Sequence, residues 1–132
     1  MTTALNAFMR GLFTSLFPAL SYSTNGNGTG NDMVDYEGVA VVQLDSAAGS
    51  AGTLDYKLQE SNDNGVGDAY ADVPVAEITG GAFVQVTTGG ASLQTRYIDL
   101  GQRKRWIRGV RTIATGPFVF SSGIVAQKKV QN

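Results

Sequence analysis

The sequence predicts an all-β protein, an antiparallel β-sandwich of seven to eight strands, jelly-roll-like layouts included, behind a short N-terminal helix or arm. Three observations carry that expectation. Glycine numbers 17 in 132 residues, nearly double the ordinary share of about 7%. From residue 33 onward, apolar residues alternate with polar ones or form runs of strand length. Between those runs, turn residues recur every 8–15 positions, and no strand–helix alternation of a parallel α/β fold is visible.

Three segments follow in order. Residues 1–20 are the apolar N-terminal helix or arm. Leu5, Phe8, Met9, Leu12, Phe13, Leu16, Phe17 and Leu20 recur at helical spacing and make one broad stripe. Gly11 weakens the middle of such a helix and Pro18 ends or bends it. Arg10 interrupts the run and no basic residue opens it, unlike a signal peptide. A membrane span needs about 20 apolar residues, and this run is shorter. So apolar a stripe must dock, either on its own domain or on a partner chain.

Residues 21–32, Ser-Tyr-Ser-Thr-Asn-Gly-Asn-Gly-Thr-Gly-Asn-Asp, read as a linker. They contain no phosphate-loop pattern between a strand and a helix. Residues 33–132 are the β-sandwich domain. Its expected strands are Val39–Leu44, Leu54–Gln59, Ala69–Val73, Ala82–Thr87, Gln94–Leu100, Arg105–Ile113 and Pro117–Val125, with a break near Ser121–Gly123. Leu54, Tyr56 and Leu58 alternate with Asp55, Lys57 and Gln59, the signature of a half-buried strand.

Cysteine and histidine are both absent. That removes disulfides, zinc sites built on either residue, thiol nucleophiles and every His-based acid–base scheme. No G-x-S-x-G elbow occurs, and nothing in the order of the carboxylates brings two of them to one cleft. The expectation is a protein that is not an enzyme and carries no cofactor or metal. Asn62-Asp63-Asn64-Gly65-Val66-Gly67-Asp68 has the oxygen-rich composition of a calcium loop, yet lacks the acids at fixed offsets and the distal glutamate of an EF-hand. A long hairpin turn uses the same residues.

The net charge of −1 conceals two opposed parts. Residues 1–95 hold Arg10 and Lys57 against ten acids, whereas residues 96–132 hold eight cations against Asp99. Such parts pair within one fold, or they pair between neighbouring copies of an assembly. The densest cationic stretch runs Arg103-Lys104-Arg105-Trp106-Ile107-Arg108-Gly109-Val110-Arg111. One tryptophan among these cations, without further interleaved aromatics, argues against a nucleic-acid platform. The expected partner interface consists of Leu5, Phe8, Leu12, Phe13, Leu16 and Phe17 with Arg103, Lys104, Arg105, Arg108 and Arg111.

Gly30–Gly38, the run Tyr56-Lys57-Leu58-Gln59-Glu60-Ser61-Asn62-Asp63 with Tyr70-Ala71-Asp72-Val73, and Tyr97–Val110 resemble a family of small tailed-phage structural proteins, over roughly residues 25–127. The combination of Lys-Leu-Gln-Glu-Ser with Arg-Lys-Arg-Trp-Ile-Arg is its most distinctive part. The resemblance implies a virion component of the capsid decoration, or cement, kind. Such a protein sits on the outside of a phage head and stabilises contacts between capsomers. Its partners would be the major capsid protein and further copies of itself, as a trimer before a dimer, with no membrane and no nucleic acid. A neck or tail component shares these features. A carbohydrate-binding sandwich module is the alternative from another class, although its usual row of exposed aromatics is not evident here.

Overall fold

In the computed structural model the described residues are 11–130, with side chains from Thr14 onward. Among these residues ten antiparallel strands form two five-stranded sheets. Sheet A runs β1 (Gly11–Tyr22), β10 (Phe118–Lys128), β4 (Tyr36–Ser46), β8 (Ser92–Asp99) and β7 (Ile78–Thr79). Sheet B runs β2 (Gly26–Asn27), β9 (Trp106–Thr115), β5 (Gly52–Ser61) and β6 (Ala71–Asp72), with β3 (Asn31–Asp32) also pairing on β9. Count β2 and β3 as one interrupted strand and set aside the short β7. The order is then first–eighth–third–sixth facing second–seventh–fourth–fifth, which is a jelly roll.

The two inner faces follow from alternation. β4 turns in Ala40, Val42 and Leu44, β5 turns in Leu54, Tyr56 and Leu58, and β10 turns in Phe118, Phe120, Ile124 and Ala126. Between the sheets Phe17, Tyr56 and Phe120 meet edge to face, with ring centroids 5.5–6.3 Å apart. Tyr56 Oη donates to Ser122 Oγ at 2.7 Å, and Ser122 Oγ donates to the Gln43 carbonyl at 2.7 Å. This relay ties sheet B to two strands of sheet A, and burial raises the Tyr56 pKa. Gly109 on β9 is required where Tyr56 and Phe17 press on the backbone, since a Cβ there would strike the Tyr56 hydroxyl.

The N-terminal segment departs from the helix expected over residues 4–20. Residues 4–10 lie outside the described residues, but Gly11–Tyr22 is a strand along the edge of sheet A. Its pairing with β10 shifts register between Ser15 and Phe17 and again between Phe17 and Leu20. These bulges turn consecutive residues, Leu16 and Phe17, into the core and leave Leu20 56% exposed. A bulged strand with two adjacent inward residues mimics helical spacing, and the open edge of β10 decides the outcome in favour of a strand.

Residues 21–32 are not a free linker. They cross from sheet A to sheet B and are stitched to β9, with Gly28 N donating to the Gly109 carbonyl at 2.8 Å and Ile113 N donating to Asn25 Oδ1 at 2.7 Å. Two other expectations also change. The strand expected at Ala82–Thr87 reduces to a single bridge between Leu54 and Val86, and β10 runs unbroken through Ser121–Gly123.

Leu16→Ala should cost about 2–5 kcal/mol, as for a leucine removed from a core, while Leu20→Ala should stay within about 0.5 kcal/mol, as surface changes do. Urea unfolding of the two variants checks this, and equal effects would contradict the bulged strand.

Candidate functional site

The basic stretch lies where the chain passes from β8 through a 3-10 turn at Leu100–Gln102 into β9. The Arg103 side chain is 3% exposed and sits between two carboxylates. Its Nη2 donates to Glu77 Oε1 at 2.7 Å and its Nη1 to Glu60 Oε2 at 3.3 Å. Glu60 also accepts from Lys104 N at 2.9 Å. Arg103 Nε is buried without a hydrogen-bond partner. Lys104 Nζ pairs with Asp68 at 2.9 Å, and Arg105 grips Asp32 through Nε and Nη2 at 2.8 and 2.7 Å.

The remaining two arginines are held by neutral groups. Arg108 donates twice to Gln59 Oε1 and lies 4.0 Å from the Tyr70 ring centroid. Arg111 donates to the Thr24 carbonyl and lies over the Tyr22 and Phe17 rings. The fold thus brings Arg103, Lys104, Arg105, Arg108 and Arg111 together, and each is engaged within its own chain. The acids of the early sequence and the cations of the late sequence meet inside this fold. Of the apolar candidates, Leu16 and Phe17 belong to the core. Leu5 and Phe8 precede the described residues, and Leu12 and Phe13 lie in β1 ahead of the described side chains.

The Asn/Asp loop is braced by its own amides. Asp63 accepts from Gly67 N at 2.7 Å and Asp68 N at 3.0 Å, and Asp68 accepts from Asn62 N at 2.8 Å. Among the described residues, no three Asp or Glu side chains are grouped to hold a metal ion. Amide donors hold the Asp63 carboxyl below its ordinary value. The Asn62 amide and then Lys104 do so for Asp68, Arg105 for Asp32, and Gln59 with Lys57 for Asp72.

A different surface stands out once the sheets are placed, the outward face of sheet A. Register aligns Val125, Val41 and Tyr97 in one row across β10, β4 and β8. Val39 is exposed on the same face, with Leu93 and Val119 beyond. A second row holds Ser15, Gly123, Gln43 and Thr95, and a third holds Ser121, Asp45 and Leu93. An open groove of about 310 Å³ runs into this face beside the bulge of β1, lined by Ser15, Pro18, Gln43, Asp45, Ser121 and Gly123. Alternation places Glu37, Asp45 and Asp99 on the same side, so its charges among the described residues are all acidic. The outward face of sheet B is polar instead, with Lys57 paired to Asp72 and Arg108 bonded to Gln59. No motif signalled the sheet A face. Its one trace in the sequence was the unbroken run Val39-Ala40-Val41-Val42, which puts valine on both sides of a strand.

No protein-family profile and no curated protein matches the chain. Solved structures do. The SPBc2 prophage-derived protein YomS superposes with a TM-score of 0.50 at 13% identity, over 89% of this chain and 95% of that one. The CBM22-1 xylan-binding domain of Paenibacillus barcinonensis Xyn10C gives 0.46 at 13% identity, over 90% and 87% of the two chains. The Tobacco streak virus coat protein gives 0.33 at 11% identity, over 94% and 90%. At such identities the likeness to the prophage protein is one of fold alone, and the two weaker scores carry no argument.

Two predictions test the ion pairs. Arg103→Met should destabilise the fold by about 3–5 kcal/mol, because Glu60 stays buried without its partner, whereas Lys57→Ala at an exposed pair should cost about 0–1 kcal/mol. Chemical denaturation of both variants decides, and similar small losses would show that Arg103 is not a brace. The acid response follows from the depressed carboxyls. Their folded pKa values lie below the unfolded ones, so their contribution is complete above the ordinary carboxylate pKa of about 4 and is lost as pH falls through the folded values. Melting temperature should therefore hold from pH 7 to about 5 and drop below about 4. Calorimetry across that range checks it, and Asp32→Asn should flatten the drop.

Proposed function

We propose that this chain is a non-enzymatic structural component of a phage particle, seated on the outside of the head and stabilising contacts between capsomers. The observation that carries this reading is the outward face of sheet A, where valines and Tyr97 stand exposed in rows on a rigid sheet. Exposed apolar side chains gathered on one face are the mark of a protein contact. The resemblance of Tyr56–Asp63 and Tyr97–Val110 to tailed-phage structural proteins supplies the setting. Assembly as a trimer on a repeating lattice would multiply weak contacts through avidity.

Purified protein is expected to bind empty heads of its phage. Heads lacking it are expected to open at lower temperature or in lower salt than decorated ones. Failure of both results would overturn the proposal. Copy number per particle separates the head lattice from a neck or tail position, because only the lattice offers a site at every capsomer.

A further inference from the structure

The reading above takes the outward face of sheet A as a protein contact and leaves open the chemistry of the surface that seats on it. We infer that the outward face of sheet A is the docking surface, and that its occupant is a protein surface with an apolar centre and a basic rim, which sends a lysine or arginine side chain into the groove beside Asp45. The inference rests on the proposed particle role for its setting and on three features of the face for its content.

First, apolar exposure is concentrated there. Val39, Tyr97, Val119 and Val125 are each at least 42% exposed, and Val41 continues the same row. Sheet B presents Asp55, Lys57, Gln59 and Arg108 outward, already engaged with Gln85, Asp72 and each other. Second, the charge on the sheet A face has one sign. Glu37, Asp45 and Asp99 stand there, while the cations of the basic stretch are held elsewhere by Glu60, Glu77, Asp68 and Asp32. Two copies meeting through this face would set acid against acid, a like-charge arrangement that costs affinity, so a basic-rimmed partner fits and a second copy does not. Third, the groove joins an apolar wall of Phe17, Pro18 and Ala19, suited to an aliphatic stem, to a few acceptors suited to a cationic head. Asp45, Gln43, Ser15 and Ser121 line about 310 Å³, room for the end of one long cationic side chain. A carboxylate flanked by hydroxyl and amide oxygens satisfies its donors.

The test uses the full-length chain assembled into particles. Asp45→Lys and Val41→Glu should each lower retention on particles at least tenfold, while Lys57→Glu on sheet B should change it less than twofold. Asp45 is exposed, so Asp45→Lys keeps the test alive should Val41→Glu fail to fold, and melting temperatures report that directly. In parallel, Tyr97→benzoylphenylalanine should photo-crosslink to another protein at a peptide in which lysine or arginine flanks apolar residues. Lys57→benzoylphenylalanine should not. Full retention of Asp45→Lys, crosslinks from position 57 in place of 97, or crosslinks from 97 to a second copy alone would overturn the inference. A crosslink from 97 to a basic-rimmed protein outside the head would overturn the head position and keep this face. Binding to heads that survives Asp45→Lys and Val41→Glu would do the reverse.

Discussion

The two sheets of this sandwich are braced against each other by one buried guanidinium. Arg103 follows the crossing from sheet A toward sheet B, Glu60 ends β5 in sheet B, and Glu77 precedes β7 in sheet A. Burying a guanidinium costs several kcal/mol of hydration, which the two carboxylates offset only because both are within hydrogen-bond reach. Nε remains without a partner, so the arrangement is better understood as fixing geometry than as adding stability. With Arg103 in place, Lys104 and Arg105 fall opposite Asp68 and Asp32. Strand β3, the Asn/Asp loop and the start of β9 are thereby pinned beside the same brace.

This brace changes the meaning of the charge pattern. Acids early and cations late left two pairings open, within one fold or between neighbouring copies, and four of the pairs form within the chain. Five acids take part in ion pairs, and Glu37, Asp45 and Asp99 on the outward face of sheet A are not among them. The charge that matters for association is therefore local to a face, and on the outward face of sheet A it has one sign.

Legibility from sequence followed the range of the interaction. β5 announces itself by alternation, and Asn64-Gly65 marks the turn after it with two positive φ values of 59° and 83°. Leu54, Tyr56 and Leu58 were readable as inward because a period of two leaves no other choice. The ion pairs were not readable, since Glu60 and Arg103 lie 43 positions apart and nothing local selects one acid over another. β1 was misread because its bulges move Leu16 and Phe17 inward together, and bulges depend on the partner strand. The apolar face was half legible, in the run at Val39–Val42, but only register shows Val41 beside Val125 and Tyr97.

The pairing of β1 has a consequence for the birth of the protein. Gly11 pairs with Gln127 and Tyr22 with Phe118, so among the described residues β1 has β10 as its only neighbour in the sheet. At about 5–20 residues per second, a ribosome needs on the order of 5–20 s to deliver that neighbour after β1 emerges. Throughout that interval Leu16 and Phe17 have no core to enter. The aromatic cluster at Phe120 closes only when β1 and β10 are both present. Folding of this jelly roll is thus a late event with an exposed apolar strand waiting for it, and a cell making many copies at once must keep those strands from finding one another first.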